Sequence, residues 1–212
     1  MKEHYTLTGG ARIGSANATY PFADLYVDRE VLTINASIVG NLIFQSKDII
    51  SLQPESNGIK INHSVKNYNS KVIFWTFKNP ALVIEKIERT GFLENKSTLQ
   101  NYNVNDILKK QNEGSFPMKK AVAIIFGVVW NLLFLYDIIP FVLNPKSKDF
   151  PLGVGANCAL ALLLASSILA IVSKHFRKII LKESRDLNDI RKFVYFTALM
   201  SGIALIISLS IS

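Results

Sequence analysis

Three long apolar runs fill the C-terminal half of this 212-residue chain, and they constrain the fold more than any other feature. They cover about residues 119–143, 152–173 and 193–211. Each is roughly 20 residues long, and a helix of that length, rising about 1.5 Å per residue, crosses a hydrocarbon core of about 30 Å. Because three such runs follow one another, membrane-spanning helices explain them better than buried helices of a soluble core. We predict three transmembrane helices within residues 117–212.

The positive residues beside these runs predict the orientation. Residues 117–212 contain 11 Lys/Arg and 5 Asp/Glu, whereas residues 1–116 contain 13 and 11. The loop between the second and third runs holds seven cations: Lys174, Arg177, Lys178, Lys182, Arg185, Arg191 and Lys192. The loop between the first two runs has only Lys146 and Lys148, partly offset by Asp149. The positive-inside rule, and an N-terminus without the apolar region of a signal peptide, predict a multi-pass cell (inner) membrane protein. Its N-terminal domain would be cytoplasmic and Ser212 would lie outside.

The basic loop is expected to be helical, because four apolar residues recur in it at helical spacing: Phe176, Ile180, Leu187 and Ile190. Two interpretations are open, namely adhesion to anionic lipid headgroups and a topology signal on a solvated helix. Acidic residues within the loop dilute its charge and favour the second: Glu183, Asp186 and Asp189. No nucleic-acid partner is expected despite the net charge of +8, since the cations flank apolar runs and form no patch in the soluble half.

Three polar residues lie inside the predicted spans: Asn131, Asp137 and Asn157. An ionised carboxylate is costly in the bilayer, so Asp137 invites a functional interpretation as part of an ion or proton path. A second interpretation has Pro140 ending the first helix early, which leaves Asp137 among the headgroups. A third has Asp137 hydrogen-bonding to Asn157 and fixing the register of two helices.

The N-terminal half changes to a strand-like pattern. After Asn57-Gly58, a favoured hairpin dipeptide, apolar and polar residues alternate from Ile59 to Lys66. Further short runs lie at residues 25–27, 32–34, 42–44, 49–52 and 72–77. These runs predict six or seven short antiparallel strands. We place both His63 and Trp75 in the core.

One helix is predicted after the strands. Asn79 suits its N-cap, Pro80 its first turn and Gly91 its left-handed end, with Phe92 folding back onto the last turn. Residues 93–116 are rich in Asn, Lys, Gln and Ser and are expected to form a polar linker, with one short helix around residues 104–110. The predicted domains are therefore residues 1–92, a linker at 93–116 and the membrane region at 117–212.

This arrangement resembles the pleckstrin-homology (PH) superfold, and more closely the PH-like or GRAM-like domains of bacterial membrane proteins. The matching stretches are residues 21–27 (PFADLYV), 44–49 (FQSKDI), 58–63 (GIKINH), 73–75 (IFW) and the helix ending in Gly91-Phe92. The resemblance implies an α+β membrane protein, with a PH-like β-barrel or sandwich capped by one helix and followed by three transmembrane helices. It implies binding of lipid headgroups or proteins and no catalysis.

Lys47, Lys60 and Lys71 are the candidates for headgroup contact that this resemblance implies. The strongest lipid binders of the family cluster their cations between early strands, whereas the cations here are dispersed along residues 12–71. Protein contact or self-association is therefore at least as plausible a role for the domain.

No catalytic, metal or cofactor site is expected. Gly9-Gly10-Ala11-Arg12-Ile13-Gly14 lacks the spacing and the Lys-Ser/Thr pair of a phosphate loop. The three histidines lie far apart, and the single cysteine, Cys158, lies inside an apolar run. The sequence thus favours a non-enzymatic adaptor or scaffold that contacts lipid headgroups or a membrane protein partner. The alternative is a small transport or channel component regulated by its cytoplasmic domain.

Overall fold

The computed structural model describes residues 4–95, 100–143 and 153–211. The chain forms two compact units. The β unit comprises Met1–Pro117 together with Lys182–Ile190, and the helical unit comprises Met118–Leu181 together with Arg191–Ser212. The predicted basic residues Lys146 and Lys148, and the predicted start of the second span at residue 152, lie outside the described residues.

Seven antiparallel strands form one curled sheet, a half-barrel, in the order β4-β3-β2-β1-β7-β6-β5. The strands are β1 Tyr5–Ile13, β2 Ala16–Val27, β3 Val31–Asn35, β4 Asn41–Gln45, β5 Ile49–Glu55, β6 Gly58–His63 and β7 Val72–Trp75. The predicted alternation from residue 59 is confirmed at its apolar positions, since Ile59 and Ile61 are buried in the core with Phe44 and Phe74. The predicted strand content is therefore confirmed.

The β5–β6 hairpin forms where it is predicted, but its turn residues are Ser56 and Asn57, and Gly58 already belongs to β6. Gly58 is needed for a different reason. A Cβ at this position would lie 2.2 Å from the carbonyl oxygen of Phe74 in the neighbouring strand. The glycine therefore permits the close approach of two backbones and does not shape the turn.

Helix α1, Pro80–Arg89, follows β7 and caps the core. The Asn79 side chain accepts a hydrogen bond from the backbone N–H of Ala81 at 3.0 Å, and Gly91 has φ +71°. Val83 and Ile87 face the sheet, and Phe92 is completely buried beside them. Each feature predicted for this helix is confirmed, because its capping signals are local in the sequence.

The predicted linker at 93–116 is, in its described part, an integral piece of the β unit. Helix α2, Val104–Glu113, packs Ile107 against Val31 and Ile43. Its Gln111 side chain donates to the carbonyl oxygen of Ile43 at 3.0 Å and to the Asp48 carboxylate at 2.7 Å. Few apolar residues are needed for this packing, so the composition is that of a linker although the segment is folded.

The chain before α2 is fixed to the β2–β3 turn. The Asp28 carboxylate accepts hydrogen bonds from the hydroxyls of Tyr26 at 3.0 Å and Tyr102 at 2.8 Å. Burial, and then the bond to Asp28, raise the pKa of Tyr102 above its ordinary value of 10.0. The Glu30 carboxylate accepts from the backbone N–H groups of Gln100 and Asn101 at 2.9 Å each. These bonds order residues that sequence composition assigns to a linker.

The helical unit contains α3 Lys120–Leu143, α4 Val154–Val172, α5 Lys174–Ile180 and most of α6 Leu187–Ile211. Helices α3, α4 and α6 are long and apolar enough to cross a membrane, with mean hydropathies of 2.2, 2.1 and 2.0, which confirms the predicted number. Pro140 lies inside α3, so the helix does not end early at this residue. Helix α6 begins six residues before the predicted position, since polar residues of the loop form its first turns.

Candidate functional site

Trp75 lies at the end of β7 between two strands that carry no side chain beside it. Its Cα partners in the register are Gly10 of β1 and Gly58 of β6. Side chains of directly opposed residues normally pack against each other on a sheet. Both partners here are glycine, so the indole has an empty space on either side and is 43% exposed.

The glycines are required by the backbone as well. A Cβ at Gly10 would lie 2.7 Å from the carbonyl oxygen of Ala18, and a Cβ at Gly9 would lie 2.1 Å from the carbonyl oxygen of Trp75. The register between β1 and β2 shifts at this point, between Gly9 and Ala11. The close approach of the strands therefore enforces the space around the indole.

This space is a groove of about 780 Å³, which we call the aromatic groove. Its lining comes from β1, β2, the β5–β6 turn and the segment that joins β7 to α1. The lining residues that matter for binding are Tyr20, Asn57, Trp75, Phe77, Lys78 and Pro80. Tyr20 is 55% exposed and Phe77 is 88% exposed, and their rings meet edge to face with centroids 5.2 Å apart.

The groove presents three aromatic rings, one ammonium group and no carboxylate among its lining residues. The segment that carries Phe77 is anchored at both ends. Before it, the Thr76 N–H donates to the carbonyl oxygen of Asn57 at 2.9 Å, and after it Asn79 caps α1. The lining is thus partly preformed, and its aromatic rings offer apolar area with little conformational entropy to lose.

The sequence prediction for Trp75 is wrong, because the residue lines the groove instead of the core. The signal that identifies the groove is the pair of glycines opposite Trp75, which becomes visible only with the strand register.

His63, also predicted in the core, is only partly buried, and its Nε2 lies 2.9 Å from the carbonyl oxygen of Asn69. The imidazole therefore has a hydrogen-bond partner at Nε2, whereas its Nδ1 is buried without one.

None of the lysines predicted for headgroup contact lines the groove. Lys60 lies on β6 opposite Ile73, and Arg12 of β1 is the other neighbour of Ile73 in the register. Lys71 directly precedes β7 and is exposed, and Lys47 is exposed on a separate one-turn helix, Ser46–Asp48. The three lysines thus lie on three different segments of the β unit.

The described intramembrane polar residues bond mainly to backbone groups. Asp137 of α3 accepts hydrogen bonds from the N–H groups of Gly153 at 3.0 Å, Gly155 at 3.2 Å and Ala156 at 2.6 Å. These are the orphan donors of the first turn of α4, so the carboxylate caps a neighbouring helix where the macrodipole is positive. This arrangement differs from the predicted bond between Asp137 and Asn157, whose Oδ1 is buried without a partner.

Close packing accompanies this cap. A Cβ at Gly155 would lie 2.2 Å from the carbonyl oxygen of Leu133, so a glycine is needed where α4 crosses α3. Asn131, two residues before Leu133, donates to the carbonyl oxygen of Gly127 in its own helix at 2.7 Å. Both Asp137 and Asn131 therefore have local structural partners.

The predicted basic loop is divided between the two units, and its cations have different roles. Residues 174–180 form α5, residues 181–186 are not helical, and α6 begins at Leu187. Arg177 donates to the carbonyl oxygens of Ala170 and Ile171 at 2.8 Å each, which caps the end of α4. The expected continuous solvated helix is therefore not formed.

Arg185 is buried in the β unit, with 2% of its side chain exposed. Its guanidinium donates to the carbonyl oxygens of Gly114 at 2.8 Å and Lys110 at 3.2 Å, and lies 3.8 Å from the Asp189 carboxylate. Lys182 donates to the carbonyl oxygen of Glu113, beside these contacts. The segment Lys182–Ile190, which we call the docked segment, is thus fastened to α2 by two cations that the sequence assigns to solvent.

The docked segment also meets the edge of the sheet. The side chains of Asn35 and Asn41 donate to the carbonyl oxygens of Asn188 at 2.9 Å and Asp189 at 3.0 Å. Tyr68 lies in the core behind this edge, and burial raises the pKa of its phenol, although the nearby Arg185 guanidinium opposes the rise. Polar contacts therefore join the segment to the edge of the sheet.

In the described residues no group of three His, Cys, Asp or Glu side chains is arranged to hold a metal ion. Comparison of the chain with protein-family models, with curated proteins and with solved structures found no match.

Proposed function

We propose that this chain is a membrane-anchored, non-enzymatic binding module, an adaptor or scaffold, whose β unit engages a protein partner through the aromatic groove. The observation that carries this proposal is the groove itself, in which glycines lie on both sides of Trp75 and three aromatic rings are open to solvent, those of Tyr20, Trp75 and Phe77. Aromatic side chains are enriched in protein interfaces and supply most of the residues that dominate binding energy.

The PH-like character of the β unit is part of the proposal. The single curled sheet, with β1 between β2 and β7, and the helix that follows β7 support the resemblance. We retain it as a resemblance in architecture. A protein ligand fits the groove better than a phosphorylated headgroup does, since the lining holds one cation, Lys78, and the predicted lysines lie elsewhere.

The proposed orientation places the β unit in the cytoplasm and the C-terminus outside. The docked segment belongs to the β unit. In the chain, α4 and α5 precede it, and most of α6 follows it. If these helices cross a bilayer, the docked segment and the N-terminal domain must share one side, because they fold together. The positive residues of the same region support the cytoplasmic side.

Anchoring matters for a module of this kind. The β unit ends at Pro117 and α3 begins at Lys120, so almost no linker separates the two. A partner that is also attached to the bilayer would meet the groove at a high effective concentration, and a modest intrinsic affinity would suffice. The transport alternative ranks lower, because Asp137 and Asn131 bond to backbone groups of α4 and α3.

Site-specific photo-crosslinking of the full chain in native membranes tests the proposal. A photoreactive phenylalanine analogue at Phe77 should form adducts with one discrete protein, whereas the same group at exposed Lys47 should not. Trp75→Ala in the Phe77-labelled chain should lower the yield about 30-fold, the factor given by the roughly 2 kcal/mol loss typical of a central interface tryptophan. Equal adducts from both positions, or a yield unaffected by Trp75→Ala, would rule out the groove as the binding site.

A further inference from the structure

The helical unit gathers cations from three separate parts of the sequence at one end. Lys119 and Lys120 begin α3, Lys174 and Lys178 lie on α5, and Arg191 and Lys192 lie on α6 where it enters this unit. We call these six residues the cationic rim. All but Lys192 are exposed.

Backbone contacts join two of these parts directly. Met118 pairs with Leu181 in an antiparallel bridge, and the Lys119 N–H donates to the carbonyl oxygen of Ile180 at 2.9 Å. The Lys119 ammonium donates to the carbonyl oxygen of Lys178 at 2.7 Å. The start of α3 therefore lies against the end of α5.

A hydrogen bond between α4 and α6 relates the position of Arg191 and Lys192 on α6 to that of Ser173 at the end of α4. The hydroxyls of Ser167 and Thr197 lie 3.0 Å apart. Ser173 follows Ser167 by six residues and Arg191 precedes Thr197 by six, so both lie about 9 Å from that bond along their helices. The chain leaves α4 at Ser173 and re-enters the helical unit at Arg191, so both displacements point to the helix ends that the connecting segment joins.

The carboxylates that dilute this charge in the sequence belong to the other compact unit. Glu183, Asp186 and Asp189 belong to the docked segment and therefore to the β unit. Within the described residues of the helical unit, Asp137 supplies the one carboxylate, and it caps α4 about 25 Å along α3 from Lys120. The one described carboxylate of the helical unit therefore does not lie beside Lys120.

Helix α5 adds the second property of a lipid-binding surface. It is short, and it exposes Lys174 and Lys178 together with the apolar side chain of Ile179, which is 50% exposed. Cations and an exposed apolar residue on one short helix at the end of membrane-spanning segments suit the headgroup region of a bilayer. Lysine is a compact point charge that binds phosphate without demanding one geometry.

We infer that the cationic rim binds the phosphate groups of anionic phospholipids and selects them over zwitterionic lipids. This inference does not depend on the aromatic groove or on a protein partner.

The test compares two triple variants of the full chain that lose the same charge. Lys120→Gln/Lys174→Gln/Lys178→Gln removes half of the rim, and Lys47→Gln/Lys60→Gln/Lys71→Gln removes three lysines of the β unit. Each chain is placed in nanodiscs of phosphatidylcholine with increasing phosphatidylglycerol, and lipids retained on release are counted by native mass spectrometry. A cation near the surface contributes about fivefold to anionic-lipid affinity, so the rim variant should lose about 100-fold and the control variant less than threefold.

Three results would overturn the inference. One is an equal loss of phosphatidylglycerol in both variants, which would indicate a general effect of charge. Another is retention of phosphatidylglycerol by the rim variant at the level of the unaltered chain. The third is full competition by glycerol phosphate at the concentration of the lipid headgroups, which would make free phosphate compounds the ligand.

Discussion

The burial of Arg185 provides the sharpest test of the way the docked segment is held. We consider Arg185→Met, which keeps much of the side-chain volume and removes the charge and the donors. The variant loses two charge-assisted hydrogen bonds, to the carbonyl oxygens of Gly114 and Lys110. At about 1.5–3 kcal/mol each, these bonds contribute about 3–6 kcal/mol.

One contribution to the free energy of unfolding opposes the loss of these two hydrogen bonds. The Arg185 Nε is buried without a hydrogen-bond partner, and such a group costs about 1–3 kcal/mol that the variant recovers. Taking the central values of the two terms, we expect Arg185→Met to lower the free energy of unfolding of the β unit by about 2.5 kcal/mol. Arg185→Lys should lose less, because it keeps the charge but cannot reach both carbonyls with a planar fork.

The chain contains its own matched control. Arg89 also has an acidic partner four residues away, Glu85, but 58% of its side chain is exposed, against 2% for Arg185. Exposed pairs of this kind contribute about 0–1 kcal/mol, so Arg89→Met should have little effect.

The measurement is urea unfolding of the full chain in detergent micelles. The chain has two tryptophans, Trp75 and Trp130, and Trp130→Phe leaves Trp75 as a single fluorescent reporter in the β unit. Our reasoning is refuted if Arg185→Met and Arg89→Met shift the transition equally, or if Arg185→Met shifts it by less than about 1 kcal/mol.

Three further predictions concern other parts of the chain. Gly58→Ala should destabilise the β unit by about 1–3 kcal/mol through overpacking against the Phe74 carbonyl, and a urea midpoint equal to that of Ser56→Ala would contradict it. Asp137→Leu should lower the free energy of unfolding in SDS by about 2 kcal/mol, because it removes three hydrogen bonds of about 0.6 kcal/mol each. Asp137→Asn should lose less, and equal losses in the two variants would count against the cap. Because the pKa of Tyr102 is raised in the folded state, its neutral phenol contributes stability that is fully present below pH 10 and is lost progressively above it. Tyr102→Phe should therefore flatten the fall in the free energy of unfolding between about pH 10 and 11.5. An unchanged slope in urea unfolding at these pH values would argue against the buried phenol.

The parts of this protein that the sequence alone predicted are those governed by local or segmental physics. A run of about 20 apolar residues must avoid water along its whole length, so α3, α4 and α6 are recognisable without any knowledge of packing. The caps of α1 at Asn79 and Gly91 depend on residues within one turn of its ends and were predicted for the same reason.

The tertiary structure alone decided which polar residues are structural and which face solvent. Arg185 and Lys182 have the pattern of solvated loop cations, yet they bond to α2, which lies about 70 residues earlier in the chain. The exposure of Trp75 follows from the register that sets Gly10 and Gly58 beside it, and neither glycine is near it in sequence. Hydrogen bonds and strand registers join residues that are distant along the chain. A pattern of neighbouring residues fixes which segments are apolar, whereas the partners of buried polar groups are fixed only when those segments fold together.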